Sequence, residues 1–564
     1  VLILYIYCQL LCRYANNITS HSLPADTVPW NYLHQTIIMF ELFTSSWWFP
    51  WAWIGLVVSI GTMALWKVAS AWAETAYDEM LQDPKTECDI DSFVNKNGTN
   101  NKNPCNKIKV AMAHKLRVKG RKARLTPIPL VCTKSPHVAG LYVSRNAATK
   151  AKATAEGEET VVPLNDLLPR LTEDGKLDKT DISTTKKPTV VVATIRMGFG
   201  HHRLAYSACS WALGEGYTTI FHDLLNIESE ESNLINSIDE LYSKFSRLAS
   251  ELGGPIELLW GQAMKQGDAN ALRIAALGAA HLQPLLLAYP KDVPIIATHQ
   301  LVALTCAAAG FTNVYNLVVD NYPQWFLVVP KTMNLTQGPV NYQAFLRMGV
   351  PAGQLKNAGH WCPRELVDNI PEDCARRLER LGSGDSTSST SIKPRRLLIP
   401  VGGAGAQRKF IVEFVAAVAD LVKSGKLQLF LNAGDHKHMK AAFVDVLTKC
   451  SLDYDTVTTT QGVYDFQKHL LQNVSNEPKS AITLFCFDEY FPAVATTDIL
   501  CRVSDVLTCK PSELAFYPIP KLHIRRVGDH EADSARRAAE VGDGSMEARE
   551  IPDALEYLDL MIAK

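Results

Sequence analysis

The sequence has no Cys-x-x-Cys pair and no His/Cys cluster at zinc-finger spacing. Its thirteen cysteines are scattered. Neither a metal site nor an extracellular disulfide framework is indicated, and a reducing compartment is expected for most of the chain. An excess charge of either sign is also missing, since 57 Lys+Arg stand against 58 Asp+Glu. That balance excludes a disordered acidic tail and a bulk nucleic-acid binder. What is present is length: 564 residues, 47% of them hydrophobic. A chain of that size forms about three to four domains.

Residues 47 to 66, WWFPWAWIGLVVSIGTMALW, carry no charge. A helix of that length crosses about 30 Å of hydrocarbon, so a transmembrane helix is expected at about 47–66, with a buried core helix as the alternative. Tryptophans crowd one end and Lys67 closes the other, as at the two interfaces of a bilayer. The apolar stretch from Val1 to Cys12 is too short to span alone and reads as the tail of a signal or a second span. Because the chain opens with Val rather than Met, an incomplete N-terminus is expected. Only Arg13 precedes the long span, whereas Lys67 and Lys85 follow it, and residues 107–124 hold eight Lys/Arg and no acid. The bulk of the chain is therefore expected on the cytoplasmic or stromal side of a membrane, as a single-pass or two-pass protein. The basic run skims anionic headgroups or is a solvated linker face. The sequon Asn97-Gly98-Thr99, flanked by Cys88 and Cys105, points instead to a luminal loop, but sequons occur by chance.

The organisation expected is a membrane-anchor region over 1–80, a polar basic linker over 81–187, an N-terminal Rossmann-like domain over 188–381, a flexible linker over 382–394 and a C-terminal Rossmann-like domain over 395–564. From Pro188 a β-branched run, TVVVATI, precedes RMGFGHH and a helix closed by Gly214 and Gly216. Tyr217 to His222, Pro294 to His299 and Val314 to Val319 read as further strands, the last ending in Asp320. The linker GSGDSTSSTS has nothing to bury. Beyond it, RRLLIPV, GGAGAQ and a helix with Ile411, Phe414, Val415, Val418, Leu421 and Val422 on one face restart the design. LQLFLNAG, AITLFCF and DVLTC follow as buried strands. The fold class is α/β, two doubly wound halves.

Gly198-Phe199-Gly200-His201 and Gly402-Gly403-Ala404-Gly405 each lie between a strand and a helix, where free N–H groups and the helix dipole favour an anion. The plainer reading is that the glycines serve tight turns. No Gly-Lys-Ser/Thr closes either loop, so neither is a Walker A sequence. A dinucleotide oxidoreductase is a weaker alternative. Asp223 stands where a ribose-binding acid would lie, but Arg203 occupies the third glycine position of G-x-G-x-x-G. An imidazole at the mouth of such a loop can take a proton from an acceptor hydroxyl, which makes His201 the catalytic candidate, while His202 should point elsewhere. Lys510, Ser512 and Glu513 close another buried strand: a cation for phosphate, a hydroxyl donor, and a carboxylate for ribose hydroxyls. Helix capping by Ser512 and Glu513 is the bland alternative. Arg526, His530 and Glu531 follow one more strand, suited to phosphates or sugar hydroxyls, or to an exposed charged loop.

GFGHHRLA at 198–205, NLVVDNYPQWF at 316–326, RMGVPAGQLKNAGHWCPREL at 347–366, VGGAGAQ at 401–407 and SDVLTCKPSELA at 504–515 together resemble GT-B glycosyltransferases of the MurG and monogalactosyldiacylglycerol synthase type. The resemblance runs from about Pro188 to the C-terminus. It implies a GT-B fold and inverting transfer of a sugar from a UDP-sugar co-substrate to a lipid or membrane-associated acceptor, with no cofactor and no obligatory metal on an Asp-x-Asp motif. It assigns the base to His201 and the acceptor side to Gly198, Gly200 and Asp320. The donor falls to Gly402, Gly403, Gly405 and Glu513, beside Lys510, Ser512, Arg526, His530 and Glu531. The alternative from another class is a catalytically inactive module that keeps the shape for nucleotide or partner binding.

Overall fold

The strands Leu130–Lys134 (β1) and Leu141–Asn146 (β2) bury only part of their residues, the mark of strands covered on one face. They pair antiparallel from Leu130↔Asn146 to Lys134↔Tyr142. Ala153–Thr154 (β3) and Gly157–Glu158 (β4) form a small separate ladder, and Val161–Pro163 (β5) pairs with β1. This corrects the expectation of a linker over 81–187. Its polar residues include the less buried positions of three sheet strands. The structure, a computed structural model, describes residues 57–65, 67–68, 71, 125–149, 153–154, 157–158, 160–169, 177, 188–254, 256, 260, 269–382, 393–403, 405–512, 517–526 and 528–562.

Thr189–Thr194 (β6) buries all six residues, so it requires neighbours on both edges and cover on both faces. The helix Phe199–Gly214 (α1) returns the chain to Thr218–Asp223 (β7), which pairs parallel from Thr189↔Thr218 to Thr194↔Asp223. On the other edge of β6 lies Ile295–Ala297 (β8), followed by helix Gln300–Ala308 (α2), Val314–Leu317 (β9), Met333–Thr336 (β10) and Leu355–Asn357 (β11). The nine-stranded sheet runs β11-β10-β9-β8-β6-β7-β2-β1-β5. Strand order reverses at β6, which places a crevice outside the carboxyl ends of β6 and β8, where open α/β sheets bind ligands.

The helix Ile370–Leu381 (α3) precedes the Ser/Thr-rich stretch, yet it packs on the second half of the chain. Arg380 bonds Asp505, and Arg502 and the Tyr517 hydroxyl both bond Asp373. The crossing between lobes thus comes before α3 rather than at 382. Glycine and serine mark a loop but do not say which lobe owns its flanks.

The second sheet is wholly parallel, built from Arg395–Pro400 (β12), Leu427–Gly434 (β13), Asp455–Val457 (β14), Ile482–Cys486 (β15), Val506–Cys509 (β16) and Lys521–His523 (β17), in the order β14-β15-β13-β12-β16-β17. β13 is buried at every position. The expected helix after β12 is Arg408–Ala417 (α4), interrupted at Val418 before a short segment Ala419–Lys423. Lys437–Lys449 (α5), Tyr490–Cys501 (α6) and Ala532–Glu540 (α7) complete the cover relevant here. Here the order reverses at β12, so the loops after β12 and β16 flank the second crevice.

The two lobes share a core. Phe199, at the start of α1, is buried with Leu398, Phe430, Phe485 and Ala493 of the second lobe. Its ring lies 5.5 Å from both His436 and Tyr490. Burying such a side chain stabilises the contact by about 1.5–3 kcal/mol.

Of the expected span at 47–66, residues 57–65 are described; they are helical and exposed. They lie in a unit, Val1–Trp72, distinct from Ala73–Lys564. Among the described residues no helix is long and apolar enough to cross a membrane. The Val1–Cys12 stretch, the sequon and the basic run at 107–124 lie outside the described residues.

Candidate functional site

The first lobe's contribution starts at Gly198, whose φ of 86° and ψ of 166° suit glycine and no other residue. That turn ends the chain's extension from β6 and starts α1, and it sets His201 in the first turn. The Nδ1 of His201 lies 2.7 Å from the carbonyl oxygen of Thr298, just past β8. The Thr298 hydroxyl lies 3.0 Å from the His201 backbone carbonyl and 2.9 Å from Thr194 Oγ1, so Thr298 ties both the ring and the backbone of His201 to the crevice between β6 and β8. Burial lowers the pKa of His201, while the Thr298 carbonyl and the Asp320 charge oppose that shift and His202 and Lys510 add to it. A neutral imidazole that donates from Nδ1 keeps its lone pair on Nε2, the state a general base requires. The His299 ring stands 4.3 Å away, and burial and His201 hold its own pKa well below the usual value.

His202 turns inward. Its ring meets Phe221 and Tyr490 edge-on, at 5.3 and 5.0 Å, and its Nε2 lies 3.3 Å from Asp223 Oδ2. Asp223 accepts the amides of Arg196 and Leu225, a local capping role. Arg203, which breaks the dinucleotide pattern, reaches the other lobe and bonds Asp498. Gly200 lies within the first turn of α1, and Asp320 follows β9 half-buried, its carbonyl accepting the Asn341 amide.

On the second lobe, the Gly402 carbonyl accepts from His436 Nε2 at 3.1 Å and the Gly405 carbonyl from His438 Nε2 at 2.9 Å. A loop whose amides are to face an anion must turn carbonyls back into the protein, where each requires a donor. These two histidines supply donors. Sequence reasoning missed them, although they follow β13 directly at i, i+2 spacing. Gly403 has another job: a Cβ there would overlap Gly198 Cα and Phe199 N, so the two glycine loops are in backbone contact across the lobes. Gly403 therefore serves lobe approach, whereas Gly198 is required by its backbone conformation.

Lys510, Ser512 and Glu531 are brought together. Lys510 Nζ lies 2.8 Å from Ser512 Oγ and 3.0 Å from Glu531 Oε1, and Ser512 donates to the same carboxylate. The Glu531 side chain is 5% exposed and that of Lys510 23%, so the cation is the member turned toward solvent. Arg526 differs from expectation: Asp529 at 2.8 Å and Glu547 hold it, and these carboxylates raise its pKa against the effect of burial. Two carboxylates already offset its charge, so it is a strut of the loop rather than an open phosphate ligand. His530 stands beside Glu531 with its Nδ1 buried and unpartnered. Glu513 lies outside the described residues. Among the described residues no group of three or more His, Cys, Asp or Glu is placed to hold a metal ion.

Residues 153–347 match the model of a domain of unknown function (DUF6937), and residues 350–564 match a second domain of unknown function (DUF6938). The change from one to the other falls before β11, the last strand of the first sheet, and so precedes the passage between lobes. No curated protein matches the sequence. Among solved structures the chain is similar to UDP-GlcNAc 2-epimerase from Neisseria meningitidis, bound to UDP-GlcNAc, at 10% identity and a TM-score of 0.37, covering 66% of this chain and 92% of that one. It is similar to UDP-N-acetylglucosamine 2-epimerase from Rickettsia bellii at 11% identity and a TM-score of 0.36, over 67% and 88% of the two chains. It is also similar to the spinosyn rhamnosyltransferase SpnG complexed with thymidine diphosphate, at 14% identity and a TM-score of 0.27, over 67% and 92%.

Proposed function

We propose that the chain is a GT-B-type, membrane-tethered glycosyltransferase that moves a sugar, with inversion, from a UDP-sugar to a lipid or membrane-associated acceptor. One observation carries the reading. His201 on the first lobe follows Gly198, whose backbone meets Gly403 of the second lobe's glycine loop, and burial disfavours its charged form as a base requires. In the proposed step, Nε2 of His201 takes the acceptor hydroxyl proton while that oxygen bonds the anomeric carbon. The bond from that carbon to the β-phosphate oxygen breaks, and its electron pair leaves with UDP. Positioned amides and a cation suffice to stabilise a leaving diphosphate. Lys510 exchanges its contact with Glu531 for phosphate, the amides of 402–405 donate to the diphosphate, and Glu513 accepts the ribose hydroxyls. Glu531 and His530 face the sugar, and Trp47–Trp66 supplies the tether.

A second reading, a catalytically inactive module that binds a nucleotide or a partner, is favoured by the closed contact between Gly403 and Gly198 and by the pairing of Lys510 and Arg526 with carboxylates. Calorimetry of the full chain with UDP and a set of UDP-sugars, joined to product analysis with lipid acceptors, separates the two. The transferase reading expects UDP release that requires an acceptor. Binding without turnover favours the module, and no binding of any uridine nucleotide removes the transferase reading and the nucleotide-binding form of the module.

A further inference from the structure

Further along α1 than His201, a cavity of about 170 Å³ lies between the two lobes. One wall is α1, with Arg203 and Tyr206; the other is α6, which presents Phe491, Val494, Ala495 and Asp498 at i, i+3, i+4 and i+7. Protein interiors pack as densely as organic crystals, with few voids larger than a water molecule. This one sits between helices close enough to share the Arg203–Asp498 pair. An apolar cavity of about 150 Å³ accepts benzene. The space here therefore suits a molecule of one or two rings.

The walls specify its chemistry. Tyr206 and Phe491 stand edge to face, centroids 4.9 Å apart at 89°, and Tyr206 stacks at 4.8 Å on Phe221, which fixes the aromatic wall. Of the charged groups in the lining, Glu365 and Arg502 pair with each other, and Asp498 pairs with Arg203, its side chain 16% exposed against 3% for Arg203. A carboxylate has about four acceptor positions, and the guanidinium fork engages two, so acceptor capacity remains on the exposed partner. We propose that this cavity is a binding site for a small, neutral, largely apolar ring compound with one N–H or O–H donor, held by the Tyr206 and Phe491 rings and anchored on Asp498. An occupant touches both lobes at once and so favours their docked arrangement. The inference is independent of the glycosyltransferase reading.

The probe is indole, with benzothiophene as its near-isostere lacking a donor. Thermal unfolding and ligand-observed NMR of the full chain should show saturable stabilisation by indole, and affinity for benzothiophene at least about tenfold lower, the worth of one hydrogen bond to a charged group. Ala495→Phe and Val138→Trp, which fill the space from different walls at half-buried positions, should each abolish the indole effect with circular dichroism unchanged. Absence of saturable binding overturns the proposal, as does indole binding unaltered in a folded filled variant. Equal affinity for the two probes overturns the anchor on Asp498 whether or not the variants fold.

Discussion

Arg203 and Asp498, 295 residues apart in sequence, form a buried ion pair across the lobe interface, with Arg203 Nε 3.1 Å from Asp498 Oδ2 and Nη2 bonded to Oδ1. Removing one partner strands the other. Arg203→Ala should cost about 3–5 kcal/mol in urea unfolding. The double change Arg203→Met with Asp498→Leu should recover most of that loss. A single variant as stable as the parent would mean that the pair does not hold the lobes.

Gly198 and Gly403 separate two kinds of glycine requirement. Gly198→Ala meets no atom but forces a side chain into a backbone region reserved for glycine, which costs about 1–3 kcal/mol. Gly403→Ala drives a Cβ into the backbone of the other lobe, so it should part the lobes. Small-angle scattering should show a larger radius of gyration for Gly403→Ala and none for Gly198→Ala. Equal radii for all three proteins would contradict the loop contact.

His436→Ala and His438→Ala each leave a glycine-loop carbonyl without its donor, at a cost of about 1–3 kcal/mol if the oxygen stays buried. With the loop unpinned, affinity for UDP should fall while His201-dependent chemistry on bound donor persists. A Kd unchanged in both variants would show that the histidines do not shape the loop.

The pH dependence of stability has a named source in His222. Its Nδ1 lies 2.7 Å from Ser144 Oγ and 3.1 Å from the Tyr289 hydroxyl, and burial lowers its pKa to about 4. The unfolded imidazole titrates near 6.5, so below that pH the unfolded chain binds more protons. Stability should be fully present above pH 6.5 and fall as pH is lowered toward 4, by about 3 kcal/mol from this residue. His222→Gln should flatten that decline in urea midpoints; an unaltered slope would assign it elsewhere.

Much of this was legible in the sequence. β6 and β12 with their glycine loops and following helices are visible because strands buried on both faces are continuous apolar runs, and glycine marks the turn after them. β1 and β2 escaped, since LVCTK and LYVSRN are short and half-polar and pair only through partners elsewhere in the chain. The place of His201 in the turn after β6 is legible from its neighbour Gly200, whereas the contacts that join Lys510, Ser512 and Glu531 are not. Arg526 misled because a free arginine and one held by Glu547, twenty-one residues on, look alike in one dimension. The same limit hid Arg203–Asp498 and the grip of His436 and His438 on the glycine loop. Long-range partners leave no local periodicity.

The central claim is that an imidazole on one lobe serves a uridine nucleotide on the other, and its most direct test is His201→Ala. Acceptor-dependent release of UDP from a UDP-sugar should drop by about 10²–10⁴-fold, the usual worth of a general base. UDP affinity measured by calorimetry on the same protein should stay within about twofold of the parent, since the proposal places binding on the second lobe. Turnover that survives the substitution undiminished would contradict the account.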